Sequence, residues 1–178
     1  LMEAGVSKNE IDYIAASAGP GSFTGIRIGV STARALSQAL ELEKAIRVPT
    51  LSAFLYKEEA QKAKAEGTVC CAILNARRGQ VYGMVDGFLA NGPHMLTDVL
   101  EIVKTRVFTE NKSVLFFGDG IDAYEKEINE ALNGLGTYAF AEETVRYQDA
   151  KSAVLFAAAG STLLLLHSPR LRVRTFRG

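Results

Sequence analysis

Residues Ser17–Gly29 read SAGPGSFTGIRIG, with four glycines, one proline, three hydroxyl side chains and one arginine. A turn of this composition can grip phosphate through backbone N–H groups and the positive end of a following helix. Gly19, Gly21 and Gly25 are spaced GxGxxxG, which is not the dinucleotide fingerprint GxGxxG. It is not a P-loop either, because Ile26 stands where the lysine after the last glycine is needed. The competing use is structural. A tight strand-to-helix turn needs glycine for its backbone angles, and Ser22 or Thr24 can cap the helix. Gly25, Gly29, Ala33 and Ser37 recur every four residues, and such a stripe lets another backbone approach closely. Spacing alone favours packing over phosphate binding.

Other reactive groups are sparse. The two histidines, His94 and His167, lie far apart, and neither HxxxH nor HExxH occurs, so each reads as a surface or loop residue rather than a metal ligand. Ser22 has no GxSxG setting and no Ser-His-Asp spacing around it, and capping is its better use. Cys70 and Cys71 sit in TVCCAIL. Neighbours in a strand face opposite sides, so they read as buried, reduced thiols and not as a redox pair. Arg27 and Arg34 are seven apart on about one helix face, where they could meet acidic residues of a partner or stay solvated. Arg77 and Arg78 mark a hairpin tip that could hold an anion; a solvated polar turn is the favoured reading.

The whole chain sets bounds. Lys+Arg and Asp+Glu both number 20, so the formal net charge is zero and nucleic-acid or membrane binding is not its main business. At 178 residues and 48% hydrophobic content it can bury a sizeable core. The longest apolar run, AVLFAAAGSTLLLL from Ala153 to Leu166, is short for a membrane span and reads as a buried helix. With no leader pattern at the front, a cytoplasmic protein is expected.

The elements that must position these residues follow from pattern. Leu1–Ala4 reads as the end of a helix stopped by Gly5, which suggests that the natural N-terminus is missing. Ile11–Ser17 is a buried strand, Ile26 to Leu40 a helix, and Ala45–Pro49 a strand. Thr50 or Ser52 caps a helix to Glu66 that Gly67 ends. TVCCAILNA and QVYGMVDGF form a hairpin around Arg77-Arg78-Gly79, and ANGPH is a loop. Thr97 caps the helix DVLEIVKTR. Ser113–Phe117 is a strand, Asp122–Leu132 a helix, TYAF a strand, and Ala150 to His167 the last helix. The halves 1–67 and 68–167 share the order α-β-α-β-α, and only the second carries a leading hairpin. The chain thus divides into an incomplete first unit (1–67), a second unit (68–167) whose last helix can pack back on the first, and a basic tail (168–178). Strand 11–17, lacking a neighbour, is expected to make the chain self-associate more than a longer relative would.

GPGSFTGIRIG followed by VPTLSAF closely resembles the TsaB (YeaZ) family, subunits of the bacterial machinery that makes threonylcarbamoyladenosine in tRNA. LNARRGQVY, Leu74–Tyr82, resembles that family's second signature, and FFGDGIDAY, Phe116–Tyr124, a weaker third. The resemblance runs from Leu1 to about Phe140. It implies an α/β fold of two related lobes of the actin/Hsp70/sugar-kinase type, the first lobe here lacking its leading strands. It marks as motif residues Gly19, Pro20, Gly21, Ser22, Phe23, Thr24, Gly25 and Arg27, and on the hairpin Asn75, Arg77, Arg78, Gly79 and Tyr82. Asn75 stands where the family commonly has Asp.

The resemblance further implies a non-catalytic partner of the catalytic subunit TsaD in modifying adenosine 37, with Gly25, Gly29, Ala33 and Arg34 in or near the interface. The ATPase TsaE would join the complex, and tRNA would be met through it. A homodimer is implied when the chain is alone. No catalytic residue, metal or cofactor of its own is expected, with ATP or ADP at the complex interface left open. The alternatives are a nucleotide-binding ATPase or kinase-like enzyme of the same fold and, less favoured, a metallopeptidase, as older glycoprotease labels of the family suggest.

Overall fold

The computed structural model describes residues 5–42 and 45–165. Leu1–Ala4, expected as a helix end, His167 and the basic tail from residue 168 lie outside the described residues.

The chain is α/β, with two sheets among the described residues. The first has two parallel strands, β1 (Ile14–Ser17) and β2 (Ala45–Val48), joined by helix α1 (Phe23–Ala39). Helices α2 (Thr50–Phe54) and α3 (Glu58–Ala65) lead to the second sheet. Its strands are β3 (Val69–Asn75), β4 (Gln80–Val85), β5 (Leu89–Met95), β6 (Val114–Phe117) and β7 (Tyr138–Phe140), in the order β5-β4-β3-β6-β7. The hairpins β3–β4 and β4–β5 are antiparallel, and β3–β6 and β6–β7 are parallel. The crossovers are α4 (Leu96–Ile102), which continues through a π-helical turn, and α5 (Gly120–Leu132). The short α6 (Glu143–Arg146) precedes α7 (Ala150–Leu165). No helix among the described residues is long and apolar enough to cross a membrane.

Strand β3 is apolar from Val69 to Leu74 because both of its faces are covered there. Cys71 and Ile73 pack with Val99, Val103, Phe116, Ile121 and Ile128 on one side of the sheet. Cys70, Ala72 and Leu74 pack with Leu51, Phe54 and Ala60 on the other. The adjacent cysteines thus face opposite sides and are free thiols. Burial, with the Asp86 carboxylate adding to it, pushes the Cys70 thiol up to about 11. Burial pushes Cys71 up as well. A third cluster joins Val48 and Ala53 to Ala157, so α7 lies over the β1–β2 unit.

Several sequence expectations change. ANGPH is not a loop but part of β5, with Pro93 opposite Tyr82. Glycine and proline read as turn signals, yet an edge strand leaves one side of its ladder unpaired and tolerates a residue without N–H. The expected helix 50–66 is broken into α2 and α3. Pro49 occupies the N-cap position, and neither Thr50 nor Ser52 caps. Lys57, between the two helices, is buried and donates to the Tyr147 carbonyl at 2.9 Å and to the Asp149 carboxylate. Thr97 lies inside α4, whose N-cap position is Met95. The first strand forms only over Ile14–Ser17, and α1 starts at Phe23 rather than Ile26.

Gly118 and Gly120 show why the segment between β6 and α5 reads GDG. A Cβ on Gly118 would lie 2.0 Å from the Ile73 carbonyl oxygen, and its φ of +97° is unfavourable to other residues. A Cβ on Gly120 would lie 2.9 Å from the same oxygen. Gly118→Ala is expected to cost at least ~3 kcal/mol in a urea titration followed by circular dichroism. An unchanged midpoint would refute this account of the joint.

Asp149 also accepts from the Ser152 N–H at 2.7 Å, the N-cap pattern of α7. Burial pushes its carboxyl up, but the hydrogen bonds from Lys57 and Ser152 and the Lys57 charge outweigh that and hold it below the ordinary range. Its folded pKa is therefore below the unfolded value. The stability it contributes is present at neutral pH and is lost as pH falls through the folded pKa. Asp149→Asn is expected to cost about 2 kcal/mol at pH 7, since it leaves Lys57 buried without its counter-charge, discounted for the half-exposed carboxylate. It should also flatten the loss of stability between about pH 5 and pH 2. Urea midpoints across that pH range test both points.

Candidate functional site

The glycine-rich turn is pinned by backbone bonds. The Ala18 N–H donates to the Val48 carbonyl and the Thr50 N–H to the Gly19 carbonyl, each at 2.9 Å. Gly19 has φ +100°. A Cβ there would lie 3.3 Å from Ile26 Cδ1, and one on Gly21 3.7 Å from the same methyl. The turn thus carries hydrocarbon against this side. Ser22 is the cap of α1: its Oγ accepts from the Gly25 N–H at 3.3 Å, and its carbonyl from Ile26 at 2.8 Å. Beside the turn, an open groove of about 520 Å³ runs along β1 and α1 past Pro20, Gly25 and Gly29.

Helix α1 buries little of itself. Ala33 and Ser37 face inward, each 4% exposed. Gly25, Gly29, Thr24, Arg27 and Arg34 are exposed. The four-residue stripe therefore splits, with its first two members on the rim and its last two against the sheet. Three large apolar side chains that spacing did not single out as exposed stand in solvent: Phe23 at 73%, Ile28 at 63% and Leu36 at 46%. The Arg27 guanidinium sits 5.2 Å over the Phe23 ring. For Ile28 and Leu36 the signal in the sequence was an apolar residue off the stripe Ile26, Val30 and Ala33, which turns toward the sheet; Phe23 falls on that stripe and gave none.

The second motif forms the β3–β4 hairpin. Arg77, Arg78 and Gly79 take left-handed angles in succession, φ +67°, +55° and +75°. Asn75 holds this tip: its Oδ1 accepts from the Arg77 N–H at 2.8 Å and from the Tyr124 hydroxyl at 3.2 Å. The Asn75 N–H donates to Asp119 Oδ1 at 2.9 Å, and the Gly79 N–H to the Tyr124 hydroxyl at 3.2 Å. The family's second and third signatures therefore form one network, in which the amide of Asn75 serves as acceptor without a charge. Tyr124 departs from helical angles inside α5. Arg77, Arg78 and Tyr82 are exposed, and among the described residues no ion pair engages either arginine.

Among the described residues, no hydrogen bond or ion pair joins the glycine turn to the hairpin tip. No three His, Cys, Asp or Glu side chains gather in a group able to hold a metal ion, again among the described residues. The His94 Nε2 lies 3.1 Å from the Ala90 carbonyl on edge strand β5.

Comparison with known proteins places the chain. The family model described as TsaD, tRNA N6-adenosine threonylcarbamoyltransferase, matches residues 1–161. The chain is 26% identical over 164 residues to the tRNA threonylcarbamoyladenosine biosynthesis protein TsaB of Bacillus subtilis, covering 88% of this chain and 66% of that protein. It is 40% identical over 82 residues to TsaB of Escherichia coli, covering 46% of this chain and 34% of that one. A Pseudomonas aeruginosa crystal structure, described as an uncharacterized protein with similarity to peptidase YEAZ, superposes with a TM-score of 0.65 at 24% identity, over 92% of this chain and 72% of that one. YeaZ from Pseudomonas aeruginosa gives 0.61 at 22% identity, with the same coverage. These two likenesses speak to the α/β fold. The chain belongs to the family of the tRNA N6-adenosine threonylcarbamoyltransferase TsaD and, within it, to the TsaB (YeaZ) group.

Proposed function

We propose that this chain is a non-catalytic scaffold subunit in the synthesis of N6-threonylcarbamoyladenosine at position 37 of tRNA, and that it binds the catalytic subunit TsaD through the exposed face of α1. The observation that carries this reading is that face. Ile28 and Leu36 stand in solvent on the flank of Gly25 and Gly29, and Phe23 is exposed at the start of the helix. Large apolar groups next to glycines suit close docking of another helix, and an exposed apolar patch of this kind marks an interaction surface. The names of the curated relatives support the pathway. In this reading the fold is the two-lobe actin/Hsp70/sugar-kinase type, with β1, α1 and β2 in the first lobe and the five-stranded sheet in the second. TsaE joins the complex, which works in the cytoplasm and through which tRNA is met. ATP or ADP is met at the complex interface. When the chain is alone, the same helix face pairs two copies.

Gly29 offers a clean test. A Cβ there meets nothing within 4 Å, so a side chain disturbs only what docks from outside. Gly29→Leu is expected to keep or raise the stability of the free protein, by up to about 1 kcal/mol. It should weaken calorimetrically measured binding to TsaD from the same source by at least ~100-fold, and Ile28→Asp should do the same. Wild-type protein that fails to bind TsaD overturns the scaffold reading. Binding untouched by both substitutions removes the interface from α1. Nucleotide hydrolysis by the isolated chain would favour the ATPase or kinase-like alternative.

A further inference from the structure

The opposite flank of α1 borders a second groove, of about 470 Å³, between the helix and β2. Ala33, Ser37 and Ile46 line its inner part, and Arg34, Gln38 and Arg47 its solvent side. Two features set it apart. Ser37 is 4% exposed, and among the described residues its Oγ has no hydrogen-bond partner. A serine inside a helix ordinarily faces solvent or bonds back to the preceding turn, and a buried hydroxyl left unpaired lowers stability. Neither Arg34 nor Arg47 has a carboxylate within ion-pair distance among the described residues. By contrast, the basic groove near Phe88 has two of its cations already engaged, Lys64 with Asp86 and Lys112 with Glu110.

We propose that the groove between α1 and β2 is a binding site for a small molecule that carries a carboxylate or a phosphate on an apolar body. The guanidinium groups of Arg34 and Arg47 supply planar, charged N–H donors suited to an oxyanion. Val30, Leu42 and Ile46, which also line the groove, take the apolar part. The site lies on the flank of α1 away from Gly25 and Gly29, so it does not depend on how the proposed docking face is used.

The test uses 3-phenylpropionate and phenyl phosphate as probes, with uncharged 3-phenylpropanamide as control, and follows the arginine Nε–Hε signals of the whole chain by NMR. At least one anion is expected to shift the Arg34 and Arg47 signals saturably at millimolar concentration, and the amide to bind at least ~10-fold more weakly. The stronger anion assigns the headgroup as carboxylate or phosphate. The double variant Arg34→Gln/Arg47→Gln, followed like the wild type through the backbone amide signals of the groove residues Val30, Gln38 and Ile46, should lose binding at least ~10-fold while keeping the melting temperature, since both side chains are exposed. Ser37→Ala should hold or raise the melting temperature, because it removes an unpaired buried hydroxyl. The proposal falls if neither anion saturates by about 10 mM, a threshold that already corresponds to weak affinity. It also falls if the amide binds equally, or if the double variant binds as wild type does.

Discussion

Removing both faces of β3 from water is the constraint on which the rest of the structure depends. Once Cys71 and Ile73 must be covered on one side and Cys70, Ala72 and Leu74 on the other, helices are required on both sides of the sheet. The parallel pairing of β3 with β6 then needs a crossover, which β4, β5 and α4 supply. The chain leaving β6 passes so close to the Ile73 carbonyl that Gly118 and Gly120 have no room for side chains. The same burial makes both thiols poor nucleophiles, since ionising either would place a charge in hydrocarbon.

The smaller β1–β2 unit is tied to this core through α2. Thr50 at its first turn bonds the glycine turn, while Leu51 and Phe54 enter the core behind β3. Just past α2, Lys57 reaches Asp149 at the start of α7, and α7 returns over β2 through Ala157. The glycine turn is therefore a packed joint between these parts, with Ile26 against it. Helix α1, held mainly by one narrow side, presents an apolar flank with Gly25 and Gly29 and a basic flank with Arg34. The physical difference between these flanks underlies the two separate binding readings.

Much of this was legible from local pattern. Ser22 before a glycine-rich helix start gave the cap, the paired arginines with Gly79 gave the hairpin, and adjacency in an apolar strand gave the opposite facing of the cysteines. The edge strand β5 was hidden because Gly92 and Pro93 carry turn signals that an unpaired edge overrides. The burial of Lys57 at the break between α2 and α3 was hidden because its partner, Asp149, is 92 residues away. The even small-residue stripe was misleading, because a four-residue step drifts around a 3.6-residue helix and carries Ala33 and Ser37 under the sheet while Gly25 and Gly29 stay outside.

The sequence by itself determined the α/β class, the hairpin and the family motifs, because periodicity, turn residues and short signatures act over a few residues. Tertiary structure alone decided which apolar side chains of α1 remain exposed and which hydroxyl among the described residues is buried without a partner. It alone brought Arg47 of β2 and Arg34 of α1 to one groove, and tied Asn75, Asp119 and Tyr124 into one network. Each of these depends on which surfaces the folded chain lays against one another, and residues distant in sequence meet only once that packing exists.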